Sequence, residues 1–250
     1  MDVLERIDRA IAERDLLTHP FYAKWVAGTL PPECLQEYAR QYYRFESEFP
    51  TVLSAIHSRS EDRGVRQALL ENLWDEEHGE SNHRELWLRF AEGIGVTRDD
   101  VESATPNAAT RGLVETYRRV AREAPVAAGV ASVYAYEAQV PRVAQAKIDG
   151  LRAHYGIDGG PALAFFEVHA GLDVEHAAAE RAIVADASGD DADRVVEAAR
   201  EAMDAWWEFL SAVDVAETPG SLRSTRGPST RGGRDTDPQM SRSTRQTSSS

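Results

Sequence analysis

Apolar residues recur along this chain at helical spacing nearly everywhere. Val3, Leu4, Ile7 and Ile11 fall on one stripe, and Val196, Ala199, Met203, Trp206 and Leu210 on another. No stretch alternates apolar and polar positions over a strand's length between turn signals, so the pattern predicts an all-α fold. Breakers cut it into seven or eight helices. His19-Pro20 and Leu30-Pro31-Pro32 predict helix starts, because proline fits the first helical turn. Pro50 and Pro141 interrupt otherwise helical stretches and predict a kink or a restart. Ala124-Pro125 opens a further segment, Gly93 and Gly95 close one, and Gly156 to Gly160 separates two. Gly189-Asp190-Asp191 predicts the cap of the last helix.

The pattern stops near Thr218. From there the chain is nearly all Ser, Thr, Arg, Gly and Pro, with too little apolar surface to offset the entropy of ordering. The expectation is one helical domain over residues 1–217 and a disordered tail over 218–250. Charge sharpens this division. The whole chain is at −14, but the tail holds six Arg and two Asp, which leaves −18 on residues 1–217. Such a surface repels phosphates, so nucleic-acid binding is not expected. No apolar run approaches the ~18–20 residues a membrane span needs. The N-terminal MDVLERIDRAIAERD is charged and amphipathic, unlike a signal peptide. The single cysteine, Cys34, excludes an intrachain disulfide and is compatible with a reducing cytoplasm, the expected location.

Two stretches carry metal-ligand chemistry. In ENLWDEEHGESNHRELW, Glu76 and His83 are seven residues apart. Seven helical residues turn about 700°, so both would project from one face. In FFEVHAGLDVEH, His169, Asp173 and His176 lie at i, i+4 and i+7, again one stripe. Glu137 stands in the apolar setting VYAYEAQV, where an unpartnered carboxylate would be costly. Three carboxylates and three imidazoles without thiolate suit iron or manganese better than structural zinc. Spacing alone leaves the first carboxylate open. Glu80-x-x-His83 has the Glu-x-x-His spacing of ferritin-like di-iron bundles, and Asp173-x-x-His176 is a variant of it. His169 has no place in that pattern.

These residues resemble the haem-oxygenase-like di-iron oxidases, a family of seven-helix bundles related in fold to the TenA and PqqC proteins. Its pattern is Glu-x6-His, a lone Glu, and His-x3-Asp-x2-His, which Glu76/His83, Glu137 and His169/Asp173/His176 match over about residues 5–212. The resemblance implies Glu76 over Glu80, two Fe ions or one Fe and one Mn, O2 as co-substrate, and a homodimer. A narrower likeness is to the CADD family, carried by LLTHPFYAKWVAGTLPPECLQEYARQYY (16–43) and YEAQVPRVAQAKIDGL (136–151). Those proteins make para-aminobenzoate for folate from a tyrosine of their own chain. The likeness implies Tyr22 as the consumed side chain, Tyr38 and Tyr136 as redox tyrosines, and Lys147 as the nitrogen source. Lys147 is one of only two lysines, although a continuous helix from Glu137 would leave it about 80° off that face. Two alternatives accompany this expectation. One is a di-iron oxygenase or decarboxylase acting on an external fatty or amino acid. The other is a non-catalytic iron-binding or interaction protein.

Overall fold

A computed structural model describes residues 1–214, apart from the Leu172 side chain. The tail expected over 218–250 lies outside the described residues, which form helices and no strand. Breaks within the expected segments raise the number of α-helices to twelve among them. They are α1 (Val3–Glu13), α2 (Pro20–Val26), α3 (Pro32–Glu46), α4 (Phe49–Arg59), α5 (Arg63–Glu77) and α6 (His83–Gly93). Then follow α7 (Arg98–Ser103), α8 (Ala108–Glu123), α9 (Val126–Glu137), α10 (Val140–His154), α11 (Pro161–Ala185) and α12 (Asp190–Asp214).

The starts follow local chemistry. Asp2 and Glu5 form a capping box that satisfies backbone donors at both ends of the first turn of α1. His19 caps α2 with its Nδ1, which accepts from Phe21 N at 3.1 Å. Pro50 and Pro141 each sit in the first turn of a restarted helix, α4 and α10, as the sequence predicts. The break before α10 is pinned by Gln139, whose side-chain oxygen accepts from Leu16 N at 2.9 Å.

α9 is apolar all round, and every residue from Ala128 to Glu137 is buried. It is the inner helix of the bundle, packed by α8, α11 and α12. Both stripes seen in the sequence turn inward. Val3 and Ile7 are buried on α1, and Val196, Ala199, Met203, Trp206 and Leu210 on α12. An aromatic layer fills the middle: Tyr42 stacks on Trp87 at 4.1 Å and Tyr136 on Trp206 at 4.4 Å between centroids. Glycine permits one close crossing. A Cβ on Gly150 of α10 would lie 2.6 Å from the Trp25 ring of α2.

Candidate metal centre

The centre is assembled from the end of α5, the start of α6, the end of α9 and the middle of α11. Its first pair corrects the sequence argument. Glu76 and His83 do not share one helix: α5 ends at Glu77 and α6 begins at His83. His78 leaves helical geometry, Gly79 takes φ +82, and Asn82 caps α6 by accepting from Glu85 N at 3.0 Å. The two residues meet across this break, with Glu76 Oε2 and His83 Nδ1 2.9 Å apart. The rival Glu80 lies inside the break and is exposed.

Glu76, His83 and His169 each present a ligand atom within 4.8 Å of the other two. The His83 and His169 rings are 4.4 Å apart between centroids. Phe165 O lies 2.7 Å from His169 Nδ1, which fixes the ring and leaves Nε2 as the free donor atom. Glu137 and Asp173, 3% and 4% exposed, adjoin this trio. Glu76 Oε2 and His83 Nδ1 have only each other, and Glu137 Oε2 and Asp173 Oδ2 are buried with no donor against them. Carboxylate oxygens gathered in one buried place are costly unless a cation meets them. Oxygen and imidazole donors without thiolate fit iron.

The electrostatics show the same need. Burial, with the Glu76 charge nearby, pushes the Glu137 carboxyl up to about 8. Burial, then Glu137 and Glu76, holds Asp173 well above the usual carboxylate range. Burial opposes charge on His83, but Glu76 outweighs it and raises the imidazole to about 9. Burial, then His83, keeps His169 well below its ordinary value and hence neutral, the form that binds metal.

His176 stands apart from the trio. Its Nε2 lies 3.1 Å from Asp75 Oδ2, and its Nδ1 is 4.0 Å from Asp173 Oδ1. Sequence reasoning missed three polar neighbours. Glu180 continues the stripe of His169, Asp173 and His176 at i+11, and that extension was the available signal. Glu46 extends Tyr38 and Tyr42 at i+8; burial, then Glu76, pushes it up to about 8. Asn72, four before Glu76, donates to Glu137 Oε1 at 2.9 Å.

A buried tyrosine cluster adjoins the centre. Tyr22, Tyr38 and Tyr136 are 4%, 0% and 8% exposed. The Tyr22 and Tyr38 hydroxyls are 3.3 Å apart, and Lys147 Nζ donates to Tyr38 Oη at 2.8 Å. The amine also lies 5.3 Å from the Tyr22 ring centroid. The break between α9 and α10 swings Lys147 inward, so the 80° offset from the Glu137 face does not apply. Tyr42, also missed, bonds Tyr136 through their hydroxyls at 2.5 Å and lies 5.5 Å from Lys147 Nζ. Burial lowers the Lys147 amine to about 7.

An all-helical bundle with a buried carboxylate–imidazole cluster defines a haem-oxygenase-like metalloprotein. The described chain superposes at TM-score 0.72 on a domain with a heme oxygenase-like fold from Shewanella denitrificans, over 85% of this chain and 92% of that one, at 17% identity. Residues 36–207 match the family described as iron-containing redox enzyme, and the chain belongs to that family. It is therefore an enzyme, an oxidoreductase. It is 42% identical to the 4-aminobenzoate synthase of Chlamydia muridarum over 210 residues, 84% of this chain and 89% of that one. It is 40% identical to the 4-aminobenzoate synthase of Nitrosomonas europaea, with the same coverage. No helix among the described residues is long and apolar enough to cross a membrane.

Proposed function

We propose that this enzyme forms 4-aminobenzoate from the side chain of Tyr22, with Lys147 supplying nitrogen. The observation that carries the reading is the Lys147 amine, buried 5.3 Å from the Tyr22 ring centroid and bonded to Tyr38. Relatives at 40–42% identity that are named for this product support it. Glu76, His83, Glu137, His169, Asp173 and His176 would hold two Fe ions, or one Fe and one Mn. With O2 as co-substrate, such metals supply the redox chemistry. A homodimer belongs to the same reading, by family likeness.

The chain's own residues set the conditions. Burial leaves about half of the Lys147 amine neutral, and so nucleophilic, near pH 7. Burial raises the Tyr22 hydroxyl above its ordinary value, which keeps its proton on the ring oxygen. Tyr38 holds both groups in register. The paired Tyr42 and Tyr136 hydroxyls give a contact path for electrons toward the α9 end that carries Glu137.

Protein made with ring-13C tyrosine and 15N lysine tests this. Mass spectrometry after iron and O2 should find 4-aminobenzoate carrying both labels, at no more than one per chain. Tyr22→Phe should make none. Equal product from Tyr22→Phe, or product made over many turnovers from an added small molecule, would sink the self-consuming reaction.

A further inference from the structure

Ions bound for a buried centre must cross the protein surface, and two depressions come near this one. The first is lined by Glu76, Glu77, Glu85 and Glu102, whose charges Arg84 and Arg98 partly offset. The second is a groove of about 580 Å³ beside α5 and α11. Leu70 and Trp74 line it and are 51% and 58% exposed. Glu71, Asp75, Glu175 and Glu180 line it too, with no lysine or arginine among the lining residues. Acids alone do not make a site. Here, however, Asn72 Oδ1, on a lining residue 2% exposed, is buried without a partner, and beside it Glu180, 3% exposed, meets the Glu137 carboxyl of the centre. The amide oxygen and the carboxylate are oxygen donors of the kind a cation needs.

The groove also reaches the centre. His176 lines it, with Nε2 against Asp75 Oδ2 and Nδ1 facing Asp173. Asn72 Nδ2 lies 2.9 Å from Glu137 Oε1 and 3.4 Å from Glu180 Oε1, so one amide spans the groove and the centre. We propose that Asp75, Asn72, His176 and Glu180 form a loading site for a divalent transition-metal ion, which passes from there to the buried centre. The proposal rests on reading that centre as a metal site. It assigns Glu180 and Asp75 a transient role, outside the permanent ligand set. The negative groove draws the cation from solvent, and His176 exchanges Asp75 for it.

Stopped-flow loading of metal-free full-length protein with Co2+ tests this, because bound Co2+ absorbs in the visible. The double variant Asp75→Asn/Glu180→Gln should load about tenfold more slowly or worse, as expected when a focusing field is removed. Its final Co2+ content should equal that of the unsubstituted protein. Ala179→Trp, at an exposed position of the groove wall, should slow loading comparably while removing no ligand. Melting curves of the metal-free variants check that each is folded. An unchanged rate in either variant overturns the loading route. A lowered final content in the double variant also overturns it, because Glu180 or Asp75 would then be a permanent ligand. Failure of the unsubstituted protein to take up Co2+ would instead overturn the metal centre itself.

Discussion

Lys147 shows how one residue's setting decides its chemistry. An exposed lysine is almost wholly protonated at neutral pH, whereas burial lowers this one to about 7. The neutral amine is the deprotonated form, so its share rises as pH rises through about 7. Product yield in a single turnover should climb across pH 6–8, and Lys147→Arg should abolish it while leaving iron content unchanged. A flat profile would remove the amine from the rate-limiting chemistry. At this scale the sequence told much about identity and little about pairing. The stripe of His169, Asp173 and His176 is visible from spacing, because α11 is continuous there. Its extension to Glu180 is equally visible in spacing, yet a lone glutamate in an acidic chain carries no mark of burial. Tyr42 was hidden for a related reason: its partner Tyr136 is 94 residues away.

Helix boundaries were legible where proline wrote them. Proline's fixed φ and missing N–H act locally, so the restarts at Pro50 and Pro141 could be read from composition alone. The break between α5 and α6 contains no proline. Glu77 and Glu80 are good helix formers, and only Gly79 and the Asn82 cap mark the turn, so a continuous helix was the natural expectation. Asn82 holds the restart. Asn82→Ala should cost about 1 kcal/mol through the lost cap, read as a lower denaturation midpoint, and should weaken metal retention by freeing His83. The α2–α10 crossing depends on Gly150 in the same local way. Gly150→Ala forces a methyl into Trp25 and should destabilise the protein by roughly 1–3 kcal/mol, measured by urea unfolding.

Over the whole molecule, the centre sets how stability responds to pH. Glu46 and Glu137 are each raised to about 8 in the folded, metal-free chain. A raised folded value means their contribution is fully present below the unfolded value, near 4.5, and is lost as pH rises through about 8. Chelated protein should therefore melt at a lower temperature at pH 8.5 than at pH 6. Iron should restore more stability at pH 8.5 than at pH 6, because cations replace the protons those carboxyls need. Equal melting temperatures of chelated protein at both values would contradict this account.

The interruption between α5 and α6 has one more consequence. Glu77, His78, Gly79 and Glu80 are exposed, and Glu76 and His83 flank them as buried anchors. A metal gripping both anchors fastens a short loop at its two ends, like a clasp. Local opening is what a protease requires, so the clasp governs cutting. A glutamate-specific protease should nick metal-free protein at Glu77 or Glu80 readily and metal-loaded protein slowly. The rate at which one surface loop is clipped thus becomes a gauge of how full the buried centre is.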